Sequence, residues 1–172
     1  MRLKIIAGLE FGNRKSIWYY LFMDVVTKTI EETKKVAEKF LAELLSRKDE
    51  ATLVALSGDL GSGKTTFVQQ CAKIFGIESK VTSPTFVIMK KYPIPEFSKR
   101  SNLNALRFFV HIDAYRLKSG EELLKLNWQE LISDPQNLIF IEWPENVMSV
   151  MTQNALQISF KSLDETKRRI VL

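Results

Sequence analysis

The chain contains one cysteine and one histidine among 172 residues. A single cysteine excludes an intrachain disulfide. Cys71 falls at an apolar position of a helical pattern, where a thiol packs as a small hydrophobe, and a reducing compartment is compatible with it. The same scarcity argues against a structural zinc site, which draws its four ligands mostly from Cys and His. Long apolar runs are also missing. Glu10, Gly12, Asn13, Arg14 and Lys15 interrupt the first residues, so they do not form a signal-peptide core, and Ile17 to Met23 is too short to cross a bilayer. No membrane association is expected. Net charge is modest, +5. More than half of it comes from Arg2, Lys4, Arg14 and Lys15 set against Glu10, and the remainder does not argue for a nucleic-acid-binding surface.

Glycine is sparse as well, seven in all, yet three lie within six residues. Gly58-Asp-Leu-Gly61-Ser62-Gly63-Lys64-Thr65 matches the phosphate-loop pattern G-x-x-x-x-G-K-[ST] at every fixed position. The flanks agree with it. Ala51 to Ser57 is a short, partly β-branched apolar run, the pattern of a buried strand. Lys64 to Phe75 places Phe67, Cys71, Ile74 and Phe75 at helical spacing, and Gly76 is a natural stop. The residue types suit phosphate chemistry. Glycine lets the backbone turn tightly and bring its N–H groups close to oxygens, and a helix N-terminus adds partial positive charge. Lys64 can reach the β- and γ-phosphates of a bound nucleotide, and the Thr65 hydroxyl can ligate Mg²⁺.

The remaining pattern predicts an α/β fold, P-loop NTPase-like, with a mostly parallel central sheet, flanking helices and an antiparallel hairpin. Residues 1–22 are expected to be an N-terminal extension, from a misassigned start or a loose arm; residues 23–172 are expected to form one P-loop ATPase domain. Asp24 to Thr29 reads as a short strand. Thr29 caps the next helix, with Glu32 completing a capping box, and Val36, Ala37, Phe40, Leu41, Leu44 and Leu45 form its apolar face. Val81-Thr-Ser-Pro-Thr-Phe86 is hydroxyl-rich, and Pro84 keeps Ser83 out of helical geometry. In this position it is either a loop facing the γ-phosphate and Mg²⁺ or an ordinary polar entry to a strand. Phe86–Tyr92 and Ala105–Asp113 read as an antiparallel pair with a long turn, whose Lys99, Arg100 and Arg107 are more often merely solvated than bound to RNA or an acidic partner. Ala155–Lys161 and Lys167–Leu172 read as a strand pair at the sheet edge.

Two apolar strands end in carboxylates, at Asp113 and Glu142. After a complete phosphate loop, Asp113 is a candidate Walker-B acid, and the two acids together suggest one metal–water site. His111 shares a face with Asp113; it is read first as a structural hydrogen-bonding residue rather than a direct catalyst.

Taken together, Gly58-Asp-Leu-Gly-Ser-Gly-Lys-Thr-Thr-Phe67, Thr82-Ser-Pro-Thr-Phe86, His111-Ile-Asp-Ala-Tyr-Arg-Leu117, Glu121-Glu-Leu123 and Ile141-Glu-Trp-Pro-Glu145 resemble the TsaE (YjeE-like) family of tRNA threonylcarbamoyladenosine biosynthesis ATPases. Motif order and spacing cover about residues 24–172. The resemblance implies a small cytoplasmic ATPase using ATP and Mg²⁺. It would serve the transferase complex that places threonylcarbamoyl on the adenosine beside the anticodon of certain tRNAs, with any tRNA contact indirect. It further implies that Gly61, Ser62, Gly63, Lys64, Thr65 and Thr66 cradle phosphates, that Thr65 and Glu142 hold Mg²⁺ with Asp113 as the Walker-B acid, and that Thr33 touches nucleotide. A basic residue of the last hairpin, Lys167 or Arg168, would do the same, and Trp143 would sit beside the site. Catalysis would fall to Lys64, Asp113 and Glu142. Three features depart from the family: residues 1–22 have no counterpart, Ser62 stands where alanine is usual, and Asn127 stands where glycine is usual.

Two other readings share the loop. A small-molecule or nucleotide kinase usually carries an arginine-rich lid, and Arg116 is the only arginine between Arg107 and Arg168. A nucleotide-switched binding module without useful hydrolysis needs only the loop itself.

Overall fold

The structure is a computed structural model, and it describes residues 2–7, 19–77, 81–96 and 103–172. Among the described residues, eight strands form one sheet in the order β1-β2-β8-β7-β3-β6-β5-β4. They are β1 (Arg2–Ala7), β2 (Tyr19–Thr27), β3 (Thr52–Gly58), β4 (Met89–Pro93), β5 (Phe108–Asp113), β6 (Asn137–Glu142), β7 (Leu156–Ser162) and β8 (Arg168–Val171). The four central strands β7, β3, β6 and β5 run parallel, and every other pairing is antiparallel. The parallel centre and the β4–β5 hairpin are those expected from the sequence.

Among the described residues, four helices cover the sheet, α1 (Ile30–Glu43), α2 (Lys64–Ile74), α3 (Gly120–Leu124) and α4 (Trp128–Ser133), joined by a kinked 3₁₀ segment at Pro144–Val150. Alternation along the strands divides the core between two faces. Val54, Leu56, Phe109, Phe140 and Phe160 pack under α1 and α2. Leu53, Ala55, Val110, Ile112, Ile139 and Ile141 pack under α3, α4 and the 3₁₀ segment. On the first face the rings of Phe40, Phe67 and Phe160 meet at centroid separations of 5.7 and 5.6 Å, and Phe109 stacks on Phe140 at 5.0 Å. Such pairs add about 0.5–1.5 kcal/mol each beyond burial.

Local signals explain where the helices start and stop. Thr29 is extended, and its hydroxyl accepts from the Glu32 N–H at 3.1 Å. The Glu32 carboxylate returns to the N–H of Lys28, one residue before the cap, so the box closes one position early. Gly76 adopts φ +68°, and the Ile77 N–H reaches the Ala72 carbonyl, closing the end of α2. Asn127 takes a left-handed conformation at φ 57° before α4, as a residue replacing glycine must.

Five expectations need correction. The strand expected at Asp24–Thr29 begins earlier, at Tyr19, because β2 pairs with both β1 and β8. Strand β4 begins at Met89, not Phe86: the N–H groups of Val87 and Ile88 both turn back to the Pro84 carbonyl, and Ile88 has φ +65°. Strand β5 likewise begins at Phe108 rather than Ala105, since Leu106 is tied in a turn to Leu103. Leu45 is 69% exposed and lies beyond the apolar face of α1, which ends at Glu43. The C-terminal pair is not at the edge. β7 lies against β3 and β8 against β2, so both are interior. Their alternating exposure misleads because period-2 polarity reports which face is covered, not which edge is paired. Lys99 and Arg100 of the basic turn lie outside the described residues, as do residue 1 and residues 8–18 of the expected extension.

Candidate active site

The phosphate loop joins β3 to α2. Gly58 has φ +136°, and a Cβ there would lie 2.2 Å from the Phe160 carbonyl oxygen of β7. The loop leaves the sheet at a point where only glycine fits between two strands. Gly63, at φ 105°, then opens α2 in a conformation that suits glycine. The first N–H groups of α2 have no acceptor within the helix, which is how a helix start becomes an anion site.

On one side of the loop, two strand tips meet. Asp113 and Glu142 are register partners at the ends of β5 and β6. They share a sheet face with His111 and Phe140, the face that α2 covers. Glu142 is 3% exposed and Asp113 4%. A carboxylate buried this far requires hydrogen bonds, each worth about 1.5–3 kcal/mol to a charged group. Both have them. The Thr65 hydroxyl donates to Glu142, 2.8 Å from Oε1 and 3.1 Å from Oε2, and His111 Nε2 stands 2.8 Å from Oε1. Asp113 Oδ2 accepts from the hydroxyls of Ser83, at 2.7 Å, and Thr85, while Oδ1 accepts from the Tyr115 N–H. The hydroxyl-rich stretch after α2 thus faces the acid at the end of β5. Its two donors were not picked out individually from the sequence, although their clustering was the available signal.

Lys64 is buried, with Nζ donating to the carbonyls of Gly58 and Asp59 at 2.6 and 2.9 Å. The same ammonium lies 4.0 Å from the centroid of the Trp143 ring. Burial pulls the Lys64 pKa below the ordinary lysine value, partly opposed by the carboxylates of Glu142, Glu145, Asp113 and Asp59. Trp143 itself has φ 59°, a strained position for an aromatic residue. Its N–H is bonded to the Leu56 carbonyl, and its ring packs 5.0 Å from that of Tyr115.

On the other side of the loop lies a cleft of about 190 Å³, open to solvent. Gly61, Ser62, Gly63 and Thr66 form one wall, and Thr27, Thr29, Thr33 and Arg168 are among the residues of the other. Neither acid borders it. Of the two hairpin cations, Arg168 lines this cleft, with Nε donating to the Gly61 carbonyl at 3.2 Å. Lys167 does not line it; its ammonium pairs with Asp164 at 2.7 Å. Thr33 reaches the cleft from α1, its hydroxyl bonded to the Thr29 carbonyl. Thr27 and Thr166 in the lining carried no signal in the sequence beyond being hydroxyls, and Thr29 carried only that of a helix cap.

Nearly all the sequence-derived candidates therefore converge on two compartments sharing the phosphate loop as a wall. A profile of the family described as threonylcarbamoyl adenosine biosynthesis protein TsaE matches residues 27–170. The chain belongs to the TsaE family. It is 39% identical over 139 residues to the tRNA threonylcarbamoyladenosine biosynthesis protein TsaE of Rickettsia felis, a match spanning 80% of this chain and 72% of that protein. The protein of the same description from Streptomyces coelicolor is 38% identical over 119 residues, 69% of this chain and 72% of its own. Among solved structures, the chain is similar to the crystal structure of Bacillus subtilus YdiB, with a TM-score of 0.59 and 26% identity, over 88% of this chain and 86% of that one. The TsaE profile begins at Thr27, in the last residue of β2.

Proposed function

We propose that this TsaE-family chain binds and hydrolyses Mg-ATP, and that hydrolysis serves tRNA threonylcarbamoyladenosine formation together with the transferase complex of that pathway, in the cytoplasm. The observation that carries the reading is the bond from the Thr65 hydroxyl to Glu142, with Asp113 on the adjacent strand tip. It brings the end of the phosphate loop against two acids distant in sequence.

The donor set suits a hard divalent cation: one hydroxyl and two carboxylates, oxygen donors throughout. Among the described residues no group of three His, Cys, Asp or Glu side chains is placed to hold a metal. The set is thus incomplete without oxygens from nucleotide and water, as is usual for Mg²⁺. Thr65, Asp113 and Glu142 would hold the ion, directly or through water, and once bound it would offset charge on the β- and γ-phosphates.

The protein's own residues carry the rest. N–H groups from Gly61 to Thr66 and the Lys64 ammonium stabilise charge growing on the bridging and γ-oxygens. To do so Lys64 exchanges its two loop carbonyls for phosphate oxygens. Glu142, buried and hydrogen-bonded to Thr65 and His111, would orient the attacking water. Thr33 and Arg168 line the cleft that would receive the nucleoside end, with Arg168 supplying a cation near Gly61. No helix among the described residues is long and apolar enough to cross a membrane. The test is reconstitution with the transferase complex, ATP and unmodified tRNA. Multiple-turnover modification that is lost in Lys64→Ala supports the reading, and modification that persists without ATP or without Lys64 defeats it.

A further inference from the structure

The chain's single histidine has so far been given only a hydrogen bond to Glu142. His111 is fully buried on β5, two residues before Asp113, with its Nε2 2.8 Å from Glu142 Oε1. Its other ring nitrogen, Nδ1, is buried with no hydrogen-bond partner. A bare buried nitrogen can remain an unprotonated lone pair at modest cost, but a buried N–H without an acceptor forfeits a full hydrogen bond. A carboxylate oxygen, for its part, needs a donor. The two requirements have one common solution: the proton sits on Nε2 and is donated to Glu142, while Nδ1 stays bare.

We infer that His111 is a positioning residue that holds Glu142 through the Nε2–H tautomer, by the same Oε1 that the Thr65 hydroxyl meets at 2.8 Å, with Thr65 also 3.1 Å from Oε2. This deepens the hydrolysis reading and rests on it. Among the described residues, Glu142 has two side-chain donors, Thr65 and His111. Thr65 belongs to the phosphate loop and is the donor that a nucleotide and its cation would recruit. His111 is anchored in the sheet, with Phe140 as its register partner, and cannot follow. When Thr65 turns to a ligand, His111 keeps a nearly dry carboxylate from swinging, as partners of ligating groups generally do.

Two measurements test this. The first is ¹⁵N NMR of the imidazole in wild-type protein made without a histidine tag. The expected result is a protonated Nε2 and a bare Nδ1, with the Nε2 resonance moving in Glu142→Gln; an Nδ1–H tautomer overturns the inference. The second compares His111→Gln with His111→Asn. A glutamine amide reaches about as far as Nε2 and an asparagine amide only as far as Nδ1. ADP affinity is measured by calorimetry with and without Mg²⁺, and ATP turnover is measured alongside. His111→Asn is expected to lose about tenfold or more of the Mg²⁺-dependent gain in ADP affinity and of kcat. Affinity in EDTA is unchanged, and His111→Gln recovers most of the loss. Equal damage in both variants, or none in a folded His111→Asn, overturns the inference. If His111→Asn does not fold, the tautomer and its response to Glu142→Gln decide alone. If wild-type protein binds ADP no better with Mg²⁺ and does not turn over ATP, the hydrolysis reading fails, while the tautomer result still stands or falls by itself.

Discussion

The two sides of the phosphate loop are built on opposite terms. On the side of Asp113 and Glu142, two carboxylates are almost completely buried, and their oxygens accept from Thr65, His111, Ser83, Thr85 and a backbone N–H. On the side of Thr33 and Arg168, the cleft is open, and its lining includes six hydroxyl side chains and two cations, the exposed Lys28 and the half-buried Arg168. The difference follows from what each side would handle. Charge that develops during a reaction is stabilised by groups already in place in a dry site. A nucleoside can be held by ordinary surface contacts that rearrange at little cost.

The comparison breaks first, and most visibly, at the buried charged residues Lys64 and Asp113. Lys64→Ala and Asp113→Ala are each expected to lower Mg-ATP turnover by at least about 10²-fold, measured as phosphate release. Full activity in either removes the mechanism. Next comes the wall between the sides. Gly58→Ala puts a Cβ against the Phe160 carbonyl at φ +136°. The backbone strain alone costs on the order of 1–3 kcal/mol, so urea unfolding should show a loss of that size or more.

The open side gives smaller effects and a sharper contrast. Arg168→Ala should raise the KM for ATP by about tenfold, a charge-assisted contact of roughly 1.4 kcal/mol, with kcat little changed. Lys167→Ala should leave KM where it was, because its ammonium is turned to Asp164. Equal effects from the two would erase the distinction the cleft makes between them.

The smallest effect concerns the stability of the nucleotide-free protein. Burial holds the Lys64 pKa below its ordinary value, so the folded chain gives up this proton at a lower pH than the unfolded chain. The penalty for the buried charge is therefore full at neutral pH. It is relieved as pH rises through the folded pKa towards the unfolded value of about 10.4. In Lys64→Met this pH dependence should disappear, which unfolding free energies at pH 7 and pH 9.5 would show as a shallower difference between the two.

Much of the site was legible because it is local. The phosphate loop, the Thr29 cap, the left-handed Asn127 and the two strand-terminal acids each depend on residues within a turn or a strand of one another. The errors arose where exposure and pairing diverge. Phe86 looks like strand sequence, yet it sits 84% exposed, with the Arg116 guanidinium 4.3 Å from its ring. The turn through Pro84 and the positive φ of Ile88 are backbone matters that β-propensity does not report. Likewise β7 alternates as an edge strand would, because Gln157, Ser159 and Lys161 face solvent while both of its edges are paired.

The amino-acid order alone settled that a glycine-lined loop opens a helix and that Asp113 and Glu142 end apolar strands, since near neighbours and hydrophobic period dictate both. Only the tertiary structure decided that those two strands lie side by side, that His111 meets Glu142 across them, and that Arg168 rather than Lys167 lines the cleft. Strand order is set by contacts among segments dozens of residues apart, and a side chain's partner depends on which strand becomes its neighbour.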